Sequence, residues 1–273
     1  MPFVQTTVQG LRRIAPRGWS PVLSGLARLC GPLQRYKAKL DNADHIYLDL
    51  REYMCHIYLY NGRLPHEEGT ERLLPAILTE GATFVDVGAN LGYFTRIASR
   101  LVGPSGSVIA VEPAPAAYRL LRLNSADLEN VTVVNKAPAE KQGTANFYVR
   151  KKGDMSSLSG DSSADAIVVE ISTLDHVLAG CRKVDLIKID VEGFELGVIK
   201  GGLETIKKHR PIIYFEFIEE FAERLGFAFA DFASVLVPLG YRLSWINNAR
   251  NDDRILGEEA TTYAVAIPDG IRL

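Results

Sequence analysis

A tight glycine turn between an apolar strand and a helix is the feature that most constrains the fold; it lies in Phe84–Tyr93, Phe-Val-Asp-Val-Gly-Ala-Asn-Leu-Gly-Tyr. The apolar run 83–87 predicts a buried strand, and 93–101 has a helical pattern. Because glycine lacks a Cβ and accepts positive φ, such a turn lets backbone approach a ligand, and the helix start adds N–H groups. Twenty residues after Gly92, Glu112 ends the next apolar run, where open α/β sheets hold a nucleotide ribose. The segment therefore predicts a site for a nucleoside-bearing cofactor.

Strand-like and helix-like segments alternate from Thr83 to the C-terminal region. The predicted strands are 83–87, 107–112, 131–135, 184–190, 211–217, 240–246 and 260–267. The predicted helices are 92–102, 114–126, 173–179, 193–208 and 219–237. Alternating units of this kind predict a mostly parallel sheet with helices on both faces, and the last two strands form a hairpin around a polar turn. We therefore expect an α/β class I methyltransferase fold, with a Rossmann-like seven-stranded sheet and a C-terminal antiparallel strand.

The N-terminal part differs from this alternation and is expected to form a separate extension. We divide the chain into an N-terminal extension at 1–65 and a catalytic domain at 66–273. The extension is expected to contain a loosely ordered lead and a helix, followed by a β-hairpin or two short strands at 45–60. Residues 66–79 have a helical pattern. Two β-like segments within 143–171 flank a Ser/Gly/Asp-rich stretch, 153–165, which we expect to be a loop beside the site.

Charge and cysteine usage exclude several classes of protein. With 31 basic and 33 acidic residues the net charge is −2, so there is no basic field for nucleic acid, and we expect no nucleic-acid partner. The three cysteines lie far apart in the sequence, so we expect neither a disulfide framework nor a thiolate zinc site. A chain without disulfides fits the reducing cytoplasm, where we expect the protein to act. No run approaches the roughly 20 apolar residues of a membrane span. We favour a helix packed on the catalytic domain for 19–40, while an amphipathic helix lying on a membrane remains open.

A second motif, in 184–195, places more carboxylates at the predicted ligand-binding edge of the sheet. A buried strand ends at Asp190, and Glu192 lies in the following turn. Ligands in open α/β sheets bind beyond the carboxyl ends of the strands, so both side chains should face the same crevice as the glycine turn. Lys188 lies on the same strand face as Asp190, where a carboxylate can balance its charge.

The turn itself favours a methyl donor over a dinucleotide. Its pattern is Asp86-x-Gly88-x-Asn90-x-Gly92, not the Gly-x-Gly-x-x-Gly of dinucleotide enzymes. A pyrophosphate needs an uncluttered helix start, whereas an acidic strand end suits a cation such as the sulfonium of S-adenosylmethionine. An NAD-dependent oxidoreductase is the alternative from another class, and a catalytically silent interaction protein is a third.

Together these segments resemble the FkbM-type family of S-adenosylmethionine-dependent methyltransferases. The resemblance covers roughly residues 67–217 and rests on 84–95, 111–115 with Asn124, 173–175 and 188–195. Family members are mostly O-methyltransferases that act on hydroxyls of sugars, glycolipids or polyketide natural products. The resemblance therefore implies S-adenosylmethionine as cofactor and a small-molecule, glycan or glycolipid acceptor. An N-methyltransferase of a small molecule is the closest alternative, and the sequence carries no signal of oligomeric state.

The resemblance also implies roles for individual residues. Those expected to line the methionine side of the donor are Asp86, Gly88, Asn90 and Gly92, and Glu112 is expected to hold the ribose hydroxyls. Asn135 and Ala137 would border the adenine, and Ser156 and Ser157 match a serine pair near the family's site.

Methyl transfer to a hydroxyl needs alignment and a base that removes the proton. We predict Glu192 as that base and Asp190 as a catalytic residue that also positions the donor. The other candidate bases are Asp190 itself, Glu216 at the end of the fifth strand, and His56 or His66 of the N-terminal segment, although a surface or packing role is favoured for either histidine. We expect no metal ion, although three carboxylates around one crevice leave Mg²⁺ or Ca²⁺ open as an alternative.

Overall fold

The structure is a computed structural model that describes residues 20–41, 44–64, 67–149, 165–246 and 262–271. The chain separates into two compact units, and the boundary falls between Glu68 and Gly69. Four sequence predictions lie outside the described residues: the N-terminal lead as far as residue 19, nearly all of the loop at 153–165, the serine pair at 156–157, and the polar turn before the last strand.

In its described residues, the first unit combines two α-helices with a two-stranded sheet. Its elements are helix α1 (Ser20–Leu29), a 3-10 helix (Gly31–Arg35), strands β1 (Tyr36–Lys39) and β2 (His45–Leu48), and helix α2 (Tyr53–Asn61). Strands β1 and β2 pair antiparallel from Tyr36↔Leu48 to Lys39↔His45. The strands alternate in burial, so each presents one face to the interior of the unit.

The predicted hairpin at 45–60 is wrong in its second half, which forms helix α2. The many tyrosine and β-branched residues favour strands by propensity, but Cys55, His56, Tyr58 and Leu59 are buried at helical spacing. Gly62 ends the helix in the left-handed region (φ 71°). The partner of β2 is β1, in a region that the sequence assigned to a lead and a helix.

The second unit is built around a seven-stranded sheet of described residues. Its elements in chain order are α3 (Glu68–Ile77), β3 (Thr83–Val87), α4 (Tyr93–Val102), β4 (Ser107–Val111), α5 (Pro115–Asn124), β5 (Val131–Val134), β6 (Ala137–Pro138), β7 (Gly143–Val149), β8 (Asp165–Ser172), α6 (Leu174–Val177), β9 (Leu186–Ile189), α7 (Glu195–Lys200), α8 (Leu203–His209), β10 (Ile212–Phe217), α9 (Glu219–Leu225), α10 (Phe229–Leu236), β11 (Tyr241–Ile246) and β12 (Thr262–Pro268). The sheet order is β11-β12-β10-β9-β3-β4-β5.

This sheet has the predicted class I methyltransferase fold. Strand β12 pairs antiparallel with β10 and β11, while the other neighbouring pairs are parallel. The central strands are buried on both faces: every residue of β9 is buried, and so is 84–87 of β3. From β3 the chain continues to β4 and β5 on one side of the sheet, and then returns to β9 on the other side of β3. In open α/β sheets, ligands bind at the carboxyl ends of the strands beside such a change of direction.

Two predicted helices are each broken at glycines. Residues 193–208 form α7 and α8, separated by Gly201 and Gly202, and 219–237 form α9 and α10 after Gly226. A Cβ on Gly201 would lie 2.2 Å from the backbone oxygen of Ala139, so the chain approaches a neighbouring loop too closely for a side chain. Gly226 has φ 77° and ends α9 as a left-handed cap.

A small separate sheet follows β5. Strand β8 pairs antiparallel with β7, from Gly143↔Ile171 to Val149↔Asp165, and parallel with the short β6. These strands confirm the two β-like segments within 143–171.

Candidate active site

The structure brings the predicted site residues together at the carboxyl ends of β3, β4 and β9. The chain leaves β3 at Gly88, leaves β4 at Glu112 and leaves β9 at Asp190. The Asp190 N–H donates to the Val87 carbonyl at 3.0 Å, and the Gly88 N–H donates to the Val111 carbonyl at 2.9 Å. Backbone hydrogen bonds thus hold the three loop starts side by side.

Close backbone packing explains two of the glycines in the turn. Gly88 has φ 80°, and a Cβ there would lie 1.8 Å from the Asp190 backbone oxygen. Gly92 has φ 90°, and its Cβ would lie 2.9 Å from a methyl carbon of Leu121 on α5. Asn90 between them also has positive φ, 49°, which asparagine tolerates better than most residues. The turn is therefore fixed by its neighbours on both sides.

The N–H groups of the turn are used within the protein. Those of Gly88 and Ala89 both donate to the Val111 carbonyl, at 2.9 and 3.0 Å, and that of Gly92 donates to the Ala89 carbonyl. The Asn90 N–H donates to the Glu112 carboxylate at 2.8 Å. A pyrophosphate-binding turn offers such groups to its ligand. This turn has four of them already bonded to protein oxygens.

Glu112 joins the turn to the loop after β4. One carboxylate oxygen accepts the Asn90 N–H and the other accepts the Ala114 N–H, both at 2.8 Å. The side chain is buried, and burial raises the pKa of Glu112 to about 7, while the two N–H donors oppose that rise. Each carboxylate oxygen can accept a further hydrogen bond.

Asn135 and Ala137 follow β5, beside the loop after β4. The Asn135 amide donates to the carbonyls of Glu112 and Pro113, at 2.8 and 3.1 Å. Ala137 is buried and pairs with Ile171 in the small sheet. The side chain of Asn135 therefore ties the two loops together.

Asp86 lies in the interior, in contact with helix α4. It is 1% exposed, and the Thr95 hydroxyl donates to its carboxylate at 2.6 Å. Burial raises the pKa of Asp86, while Lys188 on the neighbouring strand and the Thr95 hydroxyl lower it. The structure therefore places Asp86 within the protein layer that supports the turn.

The predicted charge balance at Lys188 is present. Its ammonium lies 2.7 Å from the Asp190 carboxylate and 5.4 Å from the centre of the Phe94 ring. Lys188 is buried, and the Asp190 side chain is 16% exposed, so the pair reaches from the interior toward solvent. This contact fixes the direction of the Asp190 side chain.

Glu192 lies in a strained loop that a buried carboxylate holds in place. It is half-buried with φ 57°, and Gly193 follows with φ 99°. The Glu195 carboxylate accepts the N–H groups of Val191 and Gly193, at 3.0 and 3.1 Å. Burial also raises the pKa of Glu195 to about 7. No role was assigned to Glu195 from the sequence, although the preceding Gly193 signalled a sharp turn.

Other residues of the resemblance support the fold. The buried Asn124 amide donates to the Leu91 carbonyl at 2.8 Å, which secures the end of the turn. The Asp175 carboxylate accepts the N–H groups of Glu204 and Thr205 and so caps the start of α8. Glu216 is buried near the end of β10, the strand next to β9.

The described residues contain no group of three or more His, Cys, Asp or Glu residues arranged to hold a metal ion. Their helices include none that is long and apolar enough to cross a membrane.

Several known methyltransferases are similar to this chain. The chain is 30% identical to "2-O-methyltransferase NoeI" of Sinorhizobium fredii (strain NBRC 101917 / NGR234), over 50% of this chain and 63% of that protein. It is 29% identical to "Methyltransferase sdnD" of Sordaria araneosa, over 46% and 62%. The matched part of the chain thus spans less than two thirds of the length of each of these two curated relatives. A solved FkbM methyltransferase from Methylobacillus flagellatus KT has 13% identity and a TM-score of 0.47, over 77% of this chain and 52% of that one.

A family model covers the whole site. The model of the methyltransferase FkbM domain matches residues 86–243, more than half of the chain, from the acidic residue before the glycine turn into β11. The protein therefore belongs to the FkbM family of methyltransferases.

Proposed function

We propose that the protein is an S-adenosylmethionine-dependent O-methyltransferase that acts on a hydroxyl of a sugar, a glycolipid or a polyketide-type natural product. Family membership supports methyl transfer, and one relative is named a 2-O-methyltransferase. The observation that carries the choice of donor is the glycine turn, whose N–H groups at Gly88, Ala89, Asn90 and Gly92 are bonded to protein oxygens. A turn of this kind suits a nucleoside without phosphates better than NAD.

The charges around the turn favour the same donor. Glu112 follows β4 and Asp190 follows β9, the two strands on either side of β3, and Glu192 lies in the loop after Asp190. The ammonium of Lys188 contacts Asp190 from the buried side. An acidic edge attracts a sulfonium cation and repels a pyrophosphate.

We assign the ribose contact to Glu112. Its carboxylate oxygens each hold one loop N–H, which fixes their direction and leaves a lone pair on each for a hydroxyl donor. Asp86, Gly88, Asn90 and Gly92 would form and support the methionine side. Asn135 and Ala137 would border the adenine, since the Asn135 amide holds the loops after β4 and β5 together.

The donor, when bound, supplies a methyl group on a positively charged sulfur that is already a good leaving group. The residues of this chain then have to orient the acceptor, exclude water and take up one proton. We assign the proton to Glu192, which a loop fixed by Glu195 holds near the strand end. Asp190, oriented by Lys188, would position the reacting groups.

Thermal unfolding with added ligands tests the donor. A ligand that binds only the folded state raises the melting temperature, by the equivalent of about 2.7 kcal/mol at a hundred times its Kd. We expect S-adenosylmethionine and S-adenosylhomocysteine to raise it and NAD to leave it unchanged. Stabilisation by NAD alone would reverse the assignment, and stabilisation by neither would favour a silent interaction protein.

Acceptor chemistry needs a separate assay. Purified protein with radiolabelled donor would be offered panels of sugars, glycolipids, polyketides and small amines. Label transfer to a hydroxyl supports the proposal, and transfer only to nitrogen would identify the protein as an N-methyltransferase.

A further inference from the structure

Helix α1 has a second apolar side that faces solvent. Leu23 and Ala27 are buried within the N-terminal unit, and the Gln34 side chain donates to the Ala27 carbonyl at 2.8 Å. Three other aliphatic residues of the helix are exposed: Val22 by 51%, Leu26 by 50% and Leu29 by 90%. Their spacing of four and three residues places them on one stripe, which we call the α1 stripe.

The alignment of three exposed side chains in the α1 stripe distinguishes it from a single exposed hydrophobic residue. Isolated surface hydrophobics are common, but aligned aliphatic side chains on one helix side mark a surface that contacts something else. Burial of leucine and valine side chains is favourable because it removes apolar surface from water, so even partial burial of three would favour association.

The charge of the segment that contains the stripe indicates the kind of partner. Residues 1–40 contain seven of the chain's 31 basic residues and none of its 33 acidic residues, although the whole chain is slightly acidic. Four of the seven lie in the described part, and all four are exposed: Arg28, Arg35, Lys37 and Lys39. The two lysines occupy the exposed positions of β1, opposite its buried residues. An exposed aliphatic stripe beside a segment with only positive charge suits a surface that is both apolar and anionic.

We propose that the α1 stripe docks on an anionic lipid bilayer. The helix would lie in the plane of the membrane, with the three aliphatic side chains between lipid headgroups and the basic residues near the phosphates. The ten described residues of the helix span about 15 Å, half the thickness of the hydrocarbon layer, which suits a helix that lies on a bilayer.

Sedimentation with vesicles tests the proposal on the full chain. One set of vesicles would contain phosphatidylcholine with roughly 30% phosphatidylserine, since anionic lipid supplies the surface potential. The other set would contain phosphatidylcholine alone. We expect the protein to sediment with the first set and at least tenfold less with the second, and added salt should release it.

Three variants separate a docking surface from general adhesion. L26S/L29S removes apolar contact and R35Q/K39Q removes charge; each should lower binding to anionic vesicles about tenfold. The matched control is V168S, because Val168 is an exposed aliphatic residue (72%) on strand β8 of the other unit. It should bind as the unchanged protein does. Unchanged melting temperatures would confirm that all three variants are folded.

Several results would overturn the proposal. They are failure to bind anionic vesicles, equal binding to both vesicle types, and binding that L26S/L29S leaves unchanged. Self-association without lipid that the same double variant abolishes would assign the stripe to a second copy of the chain. No methyl donor enters these experiments, so their outcome is independent of the proposed reaction.

Discussion

A Cβ on Gly88 would lie 1.8 Å from the backbone oxygen of Asp190, so the turn after β3 and the loop after β9 touch through bare backbone. Gly88 also has φ 80°, which a residue with a side chain rarely adopts. We therefore expect Gly88→Ala to lower the free energy of unfolding by at least about 2 kcal/mol and to abolish binding of S-adenosylmethionine. Urea unfolding and calorimetry measure the two effects.

The control for Gly88 is Gly197→Ala. Gly197 lies inside helix α7, and nothing stands within 4 Å of a Cβ there. This change should stabilise the protein by about 0.5–1 kcal/mol, because alanine favours helix. Equal tolerance of both substitutions would contradict the backbone contact at Gly88.

Glu112→Ala should weaken S-adenosylmethionine binding by about 1–3 kcal/mol, the range for lost hydrogen bonds to a charged group. The variant also frees the N–H groups of Asn90 and Ala114, so its stability should fall as well. Calorimetry on the variant, with the exposed Glu129→Ala as control, measures the affinity. An unchanged affinity would rule out the ribose contact.

Donor binding and stability should respond to pH in opposite directions. Burial raises the pKa of Glu112 to about 7, so the carboxylate is protonated below that pH and can accept fewer hydroxyl bonds. Affinity for the donor should thus fall as the pH drops below 7. Without donor, stability should show the opposite trend. Glu112 and Glu195 have a pKa of about 7 in the folded protein and an ordinary pKa, near 4.5, in the unfolded chain. Between these values the folded state binds more protons, so the free energy of unfolding should decrease as the pH rises from about 4.5 to 7. In the Glu112→Gln variant, donor affinity should no longer depend on pH in this range. If the affinity of the variant still falls below pH 7, another group causes the pH dependence.

Glu192→Gln should retain donor binding and lose turnover by about 10²- to 10⁴-fold, the usual contribution of a general base. The amide keeps the size of the side chain, so the left-handed backbone at this residue should stay in place. Rates with a labelled donor and an active acceptor test this, with the exposed Glu223→Gln on α9 as control. Turnover that survives across pH would move the base elsewhere, and Glu216→Gln would be the next variant.

Asp175→Ala should destabilise the protein by about 0.5–2 kcal/mol without changing donor affinity. The carboxylate caps the start of α8 through the Glu204 and Thr205 N–H groups, at 3.2 and 2.7 Å. Chemical unfolding measures the loss. A large drop in affinity with unchanged stability would place Asp175 in the donor site instead.

The sheet was predictable because each strand is a short apolar run followed by a polar or glycine signal. The helices were harder to delimit, since Gly201 and Gly226 break patterns that periodicity alone joins. Helix α2 was missed because Tyr and Ile at 57–60 favour strands, and the burial that overrides this preference comes from the rest of the unit.

The candidate site was predictable in position and less so in detail. The rule that ligands bind at carboxyl ends of parallel strands brought Gly88, Glu112 and Asp190 together. Sequence could not show that Asp86 lies inside the protein against Thr95, or that Glu195 reaches back to its own loop. Both contacts depend on side-chain directions that only the packed structure defines.

The hairpin of β7 and β8 has a practical consequence for engineering. Its ladder pairs Val149 with Asp165, so the two ends of the fifteen intervening residues are fixed next to each other. The entropy of closing such a connection grows slowly with its length. Segments of different length and composition can therefore be exchanged between these two strand ends without rebuilding the seven-stranded sheet.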